Sequence, residues 1–123
     1  MIAVIFEAKP ATAGREEYLA LAKDLHVLLE GVEGFISIER FESLSEPGKL
    51  LSLSFWRDEA AVARWRTMRE HRLAQAKGRA RIFDDYRLRI AAVVRDYGKT
   101  ARAEAPQDTK GGVGRPWSRG RPW

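Results

Sequence analysis

Apolar residues in this chain recur at every second position in four segments and at helical spacing between them. That order of periods is its strongest constraint on a fold. Residues 2–9 place Ile2, Val4 and Phe6 on one face and Ala3, Ile5 and Glu7 on the other, and Pro10 ends the strand by removing a ladder donor. Residues 13–30 shift to a helical period. Tyr18, Leu21, Ala22, Leu25, Leu28 and Leu29 share one stripe, and Gly31 is the stop. Phe35–Glu42 alternates again, Ser45-Glu46-Pro47-Gly48 is turn chemistry, and Leu50–Trp56 returns as the second arm of a hairpin. Asp58 then offers an N-cap for a helix over Glu59–Arg66. Thr67 with Glu70 forms a capping-box pattern, which predicts a restart and a second short helix to Lys77, stopped by Gly78. Phe83–Tyr97 is the last strand, with Tyr86, Leu88, Ile90, Ala92 and Val94 on one face and Arg87, Arg89, Ala91, Val93 and Arg95 on the other. Strand, helix, strand, strand, helix pair, strand is a ferredoxin-like split βαβ order, an α+β fold with an antiparallel sheet.

Composition sets the outer limits. A chain of 123 residues is one domain on length, with 45% hydrophobic and 32% charged residues. It contains no cysteine, which excludes disulfides, thiolate metal sites and thiol catalysis. No run approaches the apolar length of a membrane helix, and the opening Met1–Phe6 reads as a strand rather than a signal peptide. A cytoplasmic protein is the expectation. The net charge of +5 is concentrated after Tyr97: residues 99–123 carry six basic and two acidic groups. The body, residues 1–98, is close to neutral and lacks the basic footprint of a nucleic-acid binder. Residues 99–123 form a separate tail with little to bury, ending in two copies of Gly-Arg-Pro-Trp. Interleaved Arg and Trp suit either docking on a protein or stacking on a single-stranded nucleic acid.

Trp65 and His71 are the residues most suited to chemistry. On an unbroken helix they would stand six residues apart, about 240° round the axis, so a shared pocket needs the break at Thr67. His26 lies beside the apolar stripe of the first helix and reads as structural. Two histidines and no cysteine do not make a dedicated transition-metal site.

The element order over residues 1–97, with its residue-level signal in Phe55–Gly78 around Trp65 and His71, resembles the antibiotic-biosynthesis-monooxygenase family. The resemblance implies a homodimer, the dimeric α+β barrel, in which two sheets pack face to face, exchange the last strand and enclose a pocket in each subunit. Members include cofactor-free oxygenases of polyketide phenols and heme-degrading enzymes. The heme-degrading branch uses an asparagine in the first strand, a tryptophan, and a histidine about ten residues after it. Here only Trp65 transfers, because Met1–Lys9 has no asparagine and the distant position is Gln75. The quinone-forming branch places an asparagine four residues before the tryptophan and a tyrosine six after it, and this chain has Ala61 and His71 there.

The expectation is therefore a pocket lined by Trp65, His71, Phe83 and Tyr86. Trp65 and His71 would be catalytic, and Trp65, Phe83 and Tyr86 would touch the substrate. The substrate would be a small phenolic or quinol-like aromatic compound, oxidised by molecular oxygen without metal, flavin or other cofactor. His71 would take the proton. The alternative is a non-catalytic binder of a small hydrophobic ligand, docked to a partner by its tail. A heme-related role comes third.

Overall fold

In a computed structural model of the chain, residues 1–12, 14–69 and 83–107 are described in full, and residues 70–75 by their backbone. The elements are β1 (Ile2–Pro10), α1 (Arg15–Leu29), β2 (Phe35–Glu42), β3 (Leu50–Trp56), α2 (Glu59–Gln75) and β4 (Phe83–Ala92). The sheet order is β2-β3-β1-β4, and every neighbouring pair is antiparallel. This is the expected ferredoxin-like α+β arrangement.

Alternation explains which face of the sheet the helices cover. β3 buries Leu50, Ser52, Ser54 and Trp56 and leaves Leu51, Leu53 and Phe55 half-buried on the reverse side. α1 buries Tyr18, Leu21, Ala22, Leu25 and Leu29, nearly the stripe its period defines. The core centres on Trp56, only 1% exposed, packed with Leu29, Val32, Ala61 and Val62. Its indole Nε1 donates to Ser54 Oγ at 2.9 Å, so the one polar atom of the ring is satisfied inside the core.

Two glycines allow the chain to turn. Gly48 has φ of 85°, as the Pro-Gly turn between β2 and β3 requires. Gly34 has φ of 92°, and a Cβ there would stand 2.6 Å from Ala61 Cβ. The loop after α1 therefore crosses directly against the first turn of α2, where Asp58 Oδ1 accepts from Ala61 N at 2.9 Å as the N-cap.

Two boundaries differ from expectation. α2 does not break at Thr67: its hydroxyl donates to the Ala63 carbonyl at 3.2 Å, four residues back within the same helix. A threonine can satisfy itself that way without leaving helical geometry, so a capping-box pattern in mid-helix caps nothing. The expected end at Lys77 and stop at Gly78 lie outside the described residues. β4 ends at Ala92, five residues before Tyr97, because Ala92 already pairs with Ile2, the first residue of its neighbour β1.

Contacts divide the chain into Met1–Ala92 and Val93–Trp123. In the second unit, residues 93–107 carry no strand or α-helix. Short local bonds hold them, such as Asp96 N to Glu104 Oε1 at 2.6 Å, and the Arg102 guanidinium lies 5.1 Å from the Tyr97 ring centroid. The repeated Gly-Arg-Pro-Trp lies outside the described residues. Among the described residues, no helix is long and apolar enough to cross a membrane.

Candidate functional site

Between the sheet and the two helices of the first unit is a cavity of about 490 Å³. That is within the size range of small-molecule sites. Its floor is built from two rows across the sheet. One runs Arg40, Ser52, Phe6, Leu88 and the other Ile38, Ser54, Val4, Ile90, each row following the strand register from β2 to β4. The roof is Tyr18, Leu21, Ala22 and Leu25 from α1 and Val62, Trp65, Arg66 and Arg69 from α2.

One end is aromatic. Phe83 meets Phe6 at 5.6 Å, Tyr18 at 5.4 Å and Tyr86 at 5.9 Å between ring centroids, mostly in edge or tilted geometry. Tyr86 is 62% exposed and stands at the rim. On the α2 side, Trp65 stacks on Trp56 with centroids 6.4 Å apart and planes 27° apart. Trp65 thus both anchors α2 on the core and presents a flat wall to the cavity.

The described lining holds three arginines and no carboxylate, so its electrostatic sign is positive. The titrating carboxylates with defined shifts lie elsewhere. On the reverse face of the sheet, Glu7 meets Lys49 at 2.9 Å and Arg89 at 2.6 Å, and the hydrogen bond from Lys49 is the main cause holding its carboxyl below the ordinary value. Asp58 is lowered chiefly by the Ala61 backbone N–H it caps.

The structure brings Trp65, Phe83 and Tyr86 to the lining of one cavity. His71 lies on the α2 backbone, and its side chain is outside the described residues. With α2 unbroken, position 71 is about 240° from Trp65 and on the opposite side of the helix from Val62. The break on which the shared Trp65–His71 pocket depended is therefore absent. His26 is on the surface of α1, with Nε2 3.3 Å from Glu30 Oε1. Sequence reasoning passed over Arg40, Ser52, Arg66 and Arg69. Arg40 was visible in the alternation, since it shares a face with Ile38 two residues before it. Among the described residues, no three histidine, aspartate or glutamate side chains converge as a metal would need.

Fold and cavity together define a small ferredoxin-like domain that encloses a largely apolar ligand space between its sheet and helices. Residues 1–77 match the family described as antibiotic biosynthesis monooxygenase, and the chain belongs to that family. A relative from Pyricularia oryzae, named jasmonate monooxygenase ABM, is 50% identical over 93 residues, which is 76% of this chain. The chain spans 43% of that relative's length. Among solved structures, Rv0793 from Mycobacterium tuberculosis superposes with a TM-score of 0.66 at 18% identity, covering 79% of this chain and 98% of that one. A mutant of MhuD, with two manganese protoporphyrin IX bound per active site, superposes with a TM-score of 0.63 at 19% identity. That match covers 80% of this chain and 99% of MhuD. These structural likenesses are likenesses of fold.

Proposed function

We propose that the chain is a cytoplasmic, homodimeric monooxygenase that oxidises a small phenolic or quinol-like aromatic compound with molecular oxygen, without metal or flavin. The observation that carries this reading is the cavity itself: a ligand-sized space with the Trp65 indole as one wall and the Phe83–Tyr86 cluster as another. In such a reaction the deprotonated phenolate gives its electrons to oxygen. One oxygen atom ends in the quinone and the other leaves as water. The protein's part is to hold the ring flat and exclude water, which aromatic walls do. The name of the half-identical relative adds jasmonate to the compounds worth assaying.

The test is oxygen uptake by the purified protein over a panel of phenols, quinols and jasmonate in the presence of a chelator. Saturable uptake with one product per oxygen is expected. Saturable binding without uptake would instead establish the alternative, a non-catalytic carrier. That alternative draws support from the described lining, which includes no carboxylate or imidazole to accept a proton. His71→Ala should bind ligand as tightly as the wild type, and a loss of turnover at unchanged affinity would assign the proton to His71. The third reading, heme, rests on the family and on MhuD's fold. The described lining offers no histidine for an axial ligand, and a saturable Soret shift in a hemin titration would reinstate it.

A further inference from the structure

The cavity is lopsided. At the β2 end of its floor is Arg40, whose Nε is buried without a hydrogen-bond partner. Arg40 makes no hydrogen bond or ion pair with any described residue. Ser52 faces it directly across the β2–β3 pair, on the same side of the sheet. Arg66 and Arg69 reach the same cavity from α2. The described lining itself includes no acidic side chain. Continuing along the same row, Phe6 and Leu88 turn the floor apolar, and the Phe83–Tyr86 cluster closes that end.

An unanswered guanidinium at the edge of an apolar cavity is costly as it stands. Its Nε–H is withdrawn from water and bonded to nothing, which a ligand oxygen would correct. The planar fork of an arginine fits two coplanar oxygens, and a neighbouring serine hydroxyl adds a third donor. The row from Arg40 to Leu88 crosses three strand spacings, roughly 14 Å. A ligand filling it has an anionic head at one end and an apolar body at the other.

We propose that the cavity selects a monocarboxylate: Arg40, with Ser52 beside it, binds the carboxylate, and the ring or chain lies toward Phe6, Phe83 and Tyr86. Arg66, which reaches the cavity from α2, adds a second positive charge to its lining. This deepens the reading of the cavity as the substrate site and rests on it. It narrows the substrate to a phenolic or quinol-like acid whose aromatic ring is remote from its carboxylate.

The experiment is calorimetric titration of the full chain with 4-phenylbutyrate and its uncharged isostere 4-phenylbutyramide. The acid is expected to bind the wild type roughly ten- to a hundredfold more tightly than the amide. Arg40→Met should abolish that preference while leaving the amide affinity in place, and Arg40→Lys should keep only part of it because the fork is lost. Equal affinity for acid and amide, no binding of either, or a preference that survives in Arg40→Met would each overturn the proposal. Should Arg40→Met not fold, the wild-type contrast together with Arg40→Lys decides. Because the readout is binding, a protein that binds the acid yet consumes no oxygen would sink the monooxygenase reading and leave this inference standing.

Discussion

At the scale of single residues, two tryptophans and one glycine set the walls around the cavity. Trp56 fills the core end of β3 and satisfies its indole on Ser54, so its ring is fixed. Trp65 stacks on that fixed surface and cannot swing into the space it borders. Trp65→Ala should therefore enlarge the cavity and weaken aromatic ligands by roughly tenfold or more, whereas Trp65→Phe should keep most of the affinity. A titration in which both variants bind like the wild type would reduce Trp65 to a core anchor. Gly34 is the third. Both its positive φ and the 2.6 Å approach to Ala61 forbid a Cβ. Gly34→Ala should cost roughly 2–4 kcal/mol, read as a lower urea midpoint at unchanged slope. An unshifted midpoint would mean the loop relaxes freely.

At the scale of elements, α2 is where sequence and structure part. Asp58 was legible as its N-cap, but the pattern at Thr67 was misleading because a local signature cannot register the uninterrupted ladder on either side of it. This gives a discriminating mutation. Thr67→Ala should leave stability unchanged or raise it by up to about 0.5 kcal/mol, since alanine is the better interior residue. A cap would have been lost instead, so a clear fall in melting temperature would restore the break. The cap at Asp58 also sets a pH dependence. Its folded carboxyl titrates below the ordinary 3.8, so its contribution is complete above that value and fades as pH falls through the folded pKa. Asp58→Asn keeps an acceptor but cannot titrate there. Its melting temperature should therefore drop less than the wild type's between pH 5 and pH 2, and equal drops would discount the cap. β4 shows the complementary limit: its alternation runs on to Tyr97, but pairing stops where β1 runs out of residues.

At the scale of the whole molecule, the proposal depends on the face of the sheet that the helices leave uncovered. Ile5, Leu51, Leu53 and Phe55 stand there half-buried, an apolar set of the kind that two sheets packed face to face would cover. If the proposed homodimer forms, light scattering coupled to gel filtration should give twice the chain mass. Leu53→Asp should shift the protein to a monomer, since a lone carboxylate would be stranded in the interface. A wild-type monomer at micromolar concentration would count against the family assembly for this chain.

By itself the sequence determined the element order, the antiparallel α+β class, the positive-φ turn at Gly48 and the faces of β1 and α1. Each follows from a period or a backbone preference that acts over a few residues. Tyr86 and Trp65 likewise lie on the apolar faces of their elements, whereas Phe83 is out of step with Tyr86 and reaches the same cavity only where the register shifts opposite Lys9 and Pro10. Tertiary structure decided the rest. Arg40, Ser52 and Phe6 are far apart in the chain, and only the register of β2, β3 and β1 lines them up in one row. The unbroken α2 and the early end of β4 are likewise set by long-range pairing and packing, whose free energy depends on partners that no local window contains.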